Sequence, residues 1–335
     1  MAEDCVDRWN QICFGLISLT ALLANVLLFF LVKNRTPQMM LSYRKVLYAS
    51  CIFDGLAALS HLLISSRPSL EKDIAVMHFD GVLPQILDHF HLLPNGQLAY
   101  ILAFESATQL NTFSYCFVPF AYRYFHIVWQ TNFNKLKFFV LLLVYLSPTT
   151  IVAITLPVIA ATTYDDMVKF VGERNDGCLR RVPFYDWRFL PVEPTASIAK
   201  NSYYPLLLTL LFPFVLCYFL IRIFQKLNED VKKSSIAAHR MQRQITLTLT
   251  AQSVVPIIFV ALPCFYVSYN LTHDRNKVNA LQVFCNSLSL VPLINPITTI
   301  LLVKNYRNAI RRRIDFRKGR RPTATSLYMT SKIGA

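Results

Sequence analysis

An all-α fold, a bundle of seven membrane-spanning helices with its N-terminus outside, is what this chain predicts, and three observations predict it. The composition is 54% hydrophobic and 16% charged over 335 residues, against about 45–50% and about 25% in an ordinary soluble domain. Seven stretches of about 20 mostly apolar residues recur, the length at which a helix rising ~1.5 Å per residue crosses ~30 Å of hydrocarbon. The basic residues between the stretches gather on alternate sides, as they do when the cytoplasmic loops hold the excess.

The first run, Ile12 to Val32, follows a short head bearing Glu3, Asp4 and Asp7 but the single base Arg8. A cleaved signal peptide wants a basic start, so this run is expected to stay as an anchor. Val46 to Ser66 follows, then Leu98 to Tyr122, Phe138 to Ala161, Tyr203 to Ile223, Ile245 to Tyr269 and Asn279 to Val303. The third and seventh are the most interrupted by polar groups, which places them inside the bundle. Internal prolines, among them Pro119, Pro148, Pro213, Pro256, Pro292 and Pro296, mark kinks whose freed carbonyls neighbouring helices can satisfy. The expected organisation is an extracellular head (1–11), a membrane domain (12–303) and a cytosolic basic tail (304–335).

With the head outside, the inner loops and tail hold 23 of the 34 Lys and Arg residues, while of the acids only Glu229, Asp230 and Asp315 fall inside. The net charge of +15 is therefore a side preference. It is cut into short loops and forms no folded basic domain, which argues against nucleic-acid binding. The tail "NYRNAIRRRIDFRKGRR", Asn305 to Arg321, sets Tyr306, Ala309, Ile310 and Ile314 against arginines. It reads as a short amphipathic helix on the anionic inner leaflet, with membrane lipids as its partner. "PTATSLYMTS", Pro322 to Ser331, reads as disordered.

Polar residues inside the spans carry the functional reading. Asp54 costs roughly 2.5 kcal/mol or more at the membrane centre, so it should face the interior, with Asn25 and Asn295 as partners. Glu105, Gln109, Thr112 and Cys116 fall at i, i+4, i+7 and i+11, one inward stripe of the third span. His61 lies seven residues past Asp54 on the same face, nearer the outside, where its ring can bond a ligand or Glu105. Asn286 and Ser289 share a face of the seventh span. Glu105, Gln109, Thr112, His61 and Asn286 are the candidate ligand contacts.

Other signals are weaker. "DHFH", Asp88 to His91, has metal-ligand residue types without a full set, so no metal site is expected. "NLT" at Asn270 is a sequon on the outer side but abuts the sixth span; "NRT" at Asn34 falls on the inner side. The seven histidines are scattered, which gives no catalytic cluster, and no cofactor is called for.

Three separated segments, "PFAYRYF" (119–125), "RQITLTLTAQSVVPIIFVALP" (243–263) and "INPITTILLVKNYRNAIRRR" (294–313), resemble the nematode serpentine chemoreceptors, in the superfamily of class d and its relatives. These are G-protein-coupled receptors. The resemblance implies that Arg123, flanked by Tyr122 and Tyr124, is the inner-face arginine that holds the resting state and then meets the G protein. A guanidinium there can snorkel to water or reach backbone carbonyls. The usual acid before it is Tyr122 here, so a restraint must come from hydrogen bonds or from cation–π contact with a tyrosine, about 0.5–2 kcal/mol. Asn25, Asp54, Asn295 and Pro296 resemble the mid-depth polar residues of the wider class, though Thr299 stands where many members have tyrosine. The wider class bridges its second outer loop to the top of the third span. Here that top lacks a thiol, so Cys178 would pair with Cys5 or Cys13.

The resulting expectation is a multi-pass plasma-membrane receptor of a sensory cell. It takes a small molecule between the outer halves of its helices and signals to a heterotrimeric G protein. A secondary transporter or channel is the alternative. It needs charged residues along a continuous path, and the only acids within the spans are Asp54 and Glu105. An embedded enzyme needs a His and carboxylate cluster at one depth, which the sequence does not offer.

Overall fold

The computed structural model describes residues 2–36, 41, 43–71, 74–79, 81–90, 98–131, 133–162, 189–194, 203–230, 246–247, 250, 254, 258–259, 262–272 and 277–317. Its elements are α1 (Ala2–Arg35), α2 (Arg44–Ile64), β1 (Ser66–Glu71), β2 (Ile74–Phe79), α3 (Val82–His89), α4 (Leu98–Tyr115), α5 (Val118–Ile127), α6 (Lys135–Thr162), β3 (Phe189–Pro194), α7 (Tyr203–Asp230), α8 (Leu262–Thr272), α9 (Lys277–Leu302) and α10 (Lys304–Arg317). Three helical stretches among the described residues, Ile12–Arg35, Arg44–Ile64 and Val283–Leu302, are long and apolar enough to cross a membrane.

The three membrane-length stretches are apolar over most of their surface, so burial rather than hydropathy shows which face turns inward. On α1 the buried residues are Ser18, Ala21, Asn25, Leu28 and Val32, at alternating steps of three and four, one stripe of a 3.6-residue helix. Leu16, Leu19, Leu23, Phe29 and Phe30 on the other faces are exposed, as lipid contact requires. Small residues line the seams of α2 with α1 and with α4: Ala21, Ala57 and Ala58 are buried, letting backbones approach closely. α1 runs beside α2 and α9, α2 beside α4, and α4 beside α6. α5 lies against α7, α7 against α8, and α8 against α9.

The third expected span is two helices. Pro119 has no N–H and its ring crowds the carbonyl four residues back, so α4 stops at Tyr115 and α5 begins at Val118. Between them Cys116 N–H donates to Phe113 O and Phe117 N–H to Ser114 O, at 3.1 and 3.2 Å. All seven residues from Val118 to Tyr124 are buried, the mark of a helix enclosed by neighbours on every side. α9, by contrast, stays helical through both Pro292 and Pro296.

An all-α reading omits one feature. β1, β2 and β3 form an antiparallel sheet in that order, drawn from the two long connections that the sequence left as loops. Pro68 sits in β1 and Pro191 and Pro194 in β3, while central β2 has none, because proline cannot donate to a ladder and is confined to edges. β1 runs beside α9 and β3 beside α6. Gly81 then returns the chain to α2. Its N–H donates to Ile64 O at 2.9 Å, and a Cβ there would overlap the backbone of Leu63 and Ile64. Ser65, closing α2, takes the left-handed conformation, φ 48°.

At the other end α10 follows α9 after one residue and reads as the expected tail helix. Its Tyr306 is 0% exposed, and its hydroxyl lies 2.9 Å from Thr36 Oγ1 at the end of α1. Burial pushes this phenol up to about 12, so it stays a neutral hydrogen-bonding group.

Candidate functional site

Three levels of polar contact cross the bundle, and each is built from a different set of helices. The first, at the His61 end of α2, joins α2, α4 and α9. Glu105 projects from α4 and His61 from α2, with Glu105 Oε1 and His61 Nδ1 2.8 Å apart. The other ring nitrogen, Nε2, lies 3.1 Å from Ser289 Oγ on α9. One imidazole thus spans three helices. Around it Ser60 and Thr108 share a hydroxyl contact of 2.6 Å, Gln109 Nε2 donates to Ala57 O at 3.3 Å, and Thr112 Oγ1 donates to Phe53 O at 3.2 Å. Glu105 is 3% exposed and Thr112 1%, so the predicted stripe turns inward. Asn286, one turn from Ser289, is half-buried.

The middle level joins α1, α2 and α9. Asn295 Nδ2 donates to both carboxyl oxygens of Asp54, at 3.2 and 3.4 Å, and Ser50 Oγ donates at 3.3 Å. The sequence reading names Asn25 as a second partner of Asp54. Instead, Asn25 Nδ2 donates to Pro292 O at 2.9 Å and Ala21 O at 3.0 Å. The reason is visible in the helix ladder: Pro292 O would accept from the N–H of residue 296, and Pro296 has none. Asn25 supplies the donor that Pro296 lacks.

The third level, at the opposite end of the bundle from His61, surrounds α5, and its three central residues face different ways. Tyr122 meets Tyr43, Phe133 and Phe138, and stacks on His126 at 5.9 Å with the planes 12° apart. Tyr124 turns to α7, packing on Phe219 with its hydroxyl 3.4 Å from that of Tyr218. Arg123 between them is 3% exposed. It does not reach water, as the sequence reading allows, because neighbouring elements bury the whole run from Val118 to Tyr124. The cation over the Tyr122 ring is Lys45, 5.0 Å from the centroid, also facing Phe138 and Phe133 and donating to Phe133 O at 2.8 Å. Burial pushes the Tyr43 phenol well above its usual range, and the Arg123 guanidinium draws it partly back.

Sequence reasoning missed Lys45, Ser50 and the Thr36–Tyr306 contact. It also missed Asn111, whose amide holds Thr149 and Thr150 at 2.9–3.0 Å and ties α4 to α6. The proline at 296, four residues past a carbonyl in need of a donor, is the signal that finds the Asn25 bond. Asn270 is 5% exposed and its amide nitrogen, the atom a glycan would occupy, donates to Tyr266 O at 2.7 Å. That geometry opposes glycosylation. Cys178 and His91 lie outside the described residues, Cys5 and Asp88 have no described side chain there, and Cys13 is an exposed free thiol.

A membrane helical bundle, cross-linked by polar contacts at successive depths and holding a buried arginine at one end, is the architecture of a seven-helix receptor. The chain belongs to the serpentine type 7TM GPCR chemoreceptor family Str, which it matches over residues 10–311. A segment of 94 residues is also 33% identical to G-protein coupled receptor str-217 of Caenorhabditis elegans, covering 28% of this chain and 26% of that receptor. The match therefore spans about a quarter of the relative. The family is one of receptors rather than enzymes, and it carries the membrane-spanning, nematode-type reading of the sequence.

Proposed function

We propose that this chain is a chemosensory receptor of a sensory cell's plasma membrane, which binds a small molecule at the His61–Glu105–Ser289 junction and signals to a heterotrimeric G protein. The observation that supports this reading is the imidazole of His61 bridging Glu105 at 2.8 Å and Ser289 at 3.1 Å. A molecule inserted there changes the fit of α2, α4 and α9 together. Asp54 on α2 and Pro292 and Asn295 on α9 lie deeper, with Asn25 of α1 beside them, and the Tyr122–Arg123–Tyr124 group lies at the inner end. Signalling follows only if the ligand binds one arrangement of these contacts better than another. The basic inner loops set the orientation, head outside and arginine-rich tail inside.

The test is expression of the full chain with a G-protein reporter, screened against volatile and water-soluble compounds. Any active compound is then repeated on Glu105→Ala and Arg123→Ala. The first variant should shift potency and the second should mainly lower the maximal response. Unaltered responses from both would remove these residue assignments. Ligand-driven solute flux in liposomes containing the purified protein would favour a transporter instead.

A further inference from the structure

We infer that the outer junction, taken as the ligand site proposed above, is built for a ligand that brings hydrogen-bond donors, a protonated amine first among them, and discriminates against molecules that carry acceptors only. The argument is an inventory of its polar atoms. The donors are engaged: His61 Nδ1 with Glu105 Oε1, His61 Nε2 with Ser289 Oγ, Gln109 Nε2 with Ala57 O, and the hydroxyls of Ser60, Thr108 and Thr112 with carbonyls or each other. Among the described residues, two buried atoms of the junction have no hydrogen-bond partner, Glu105 Oε2 and Gln109 Oε1. Both are acceptors. They stand at i and i+4 of α4, hence on one face of the helix.

A buried acceptor without a donor, above all a carboxylate oxygen, is costly. A ligand N–H relieves that cost, whereas a carbonyl or carboxylate sets lone pairs against lone pairs. An ammonium presents three donors and no acceptor, with a charge opposite to that of Glu105. Asn286 offers both a donor and an acceptor and so selects neither.

Ser289 links this choice to α9. Its single proton can go to Cys285 O, 3.2 Å away, or to His61 Nε2. In the first case both ring nitrogens must carry protons and His61 neutralises Glu105. In the second the ring is neutral and the carboxylate is left to the ligand. A cationic ligand favours the second pattern, which rotates the Ser289 hydroxyl from its own helix toward α2.

The experiment uses the purified full chain in lipid nanodiscs and four six-carbon probes: hexylamine, 1-hexanol, hexanal and hexanoate. Thermal midpoints are read against probe concentration. Hexylamine should stabilise the protein at concentrations about tenfold below those hexanal needs, the difference expected for one charged hydrogen bond. Glu105→Gln keeps an acceptor for His61 but puts an NH2 group where Oε2 stands, so the order of hexylamine and hexanal should invert. Should that variant fail to fold, Gln109→Leu removes the second acceptor and should weaken hexylamine several-fold while sparing hexanal. Hexanal or hexanoate binding as well as hexylamine, an order that survives Glu105→Gln, or no shift from any probe would each overturn the inference. A reporter response to acceptor-only compounds would sink this selectivity and leave the receptor reading intact. Amine binding that never reaches the reporter would do the reverse.

Discussion

Lys45, at the start of α2, holds its ammonium 5.0 Å above the ring of Tyr122 on α5 while donating to the carbonyl of Phe133 in the loop that follows α5. Three separate pieces of chain thus meet on one cation. We predict that Lys45→Gln loosens residues 129–134, seen as faster amide hydrogen exchange, and that Lys45→Arg largely preserves them. Cation–π contact of this kind contributes about 0.5–2 kcal/mol, enough to raise local opening several-fold. Exchange in that loop identical to wild type would show that Lys45 does not restrain it.

Asn25→Leu should destabilise the purified receptor by about 1 kcal/mol, the usual size of a hydrogen bond between membrane helices. The change strands Pro292 O, which Pro296 already deprives of its helical donor. Combining Asn25→Leu with Pro296→Ala restores an N–H to that carbonyl, so the double variant should recover most of the loss. A thermal denaturation series on the four proteins measures it, and simple additivity would refute the link.

Tyr306 separates packing from hydrogen bonding. Tyr306→Phe keeps the buried ring and loses only the 2.9 Å contact with Thr36, a change of about 1 kcal/mol. Tyr306→Ala opens a cavity where a fully enclosed ring stood, for about 3–5 kcal/mol. The midpoint of thermal unfolding should fall in that order, with the alanine variant much the worse. Equal losses would mean that α10 docks by its hydroxyl alone.

Gly81→Ala should lower the yield of folded protein, because a Cβ at that position meets the Leu63 and Ile64 backbone, which cannot rotate away as a side chain can. Gly15→Ala is the control, since among the described residues nothing lies within 4 Å of its missing Cβ. Fluorescence-detected size exclusion of the two variants in detergent compares them directly.

Tags placed at the two ends of the chain should be reachable from opposite sides of intact cells, the N-terminal tag from outside. Antibody labelling before and after permeabilisation reads this out. Both tags on one side would contradict the charge asymmetry of the loops.

Much of this was legible in the sequence because hydrocarbon imposes a simple rule: long apolar runs must be helices, and polar groups within them must turn inward. Asp54, Glu105 and Thr112 obey it, and α1, α2 and α9 fall where the runs lie. Partner choice was harder to read, since it depends on which carbonyls the prolines release and on lateral offsets between helices. Asn25 therefore bonds Pro292 rather than Asp54. The sheet was missed because its strands come from two connections far apart in the chain, each strand is only six residues long, and β1 and β3 carry proline. The enclosure of Arg123 was missed because local sequence says nothing about how neighbouring elements bury the whole run from Val118 to Tyr124.

That small sheet has a social consequence for the molecule. Proline interrupts each of its outer strands, so neither margin shows a neighbouring copy an unbroken row of amide protons to extend. Receptors crowded into one membrane are thereby steered away from zipping together at their loop ends.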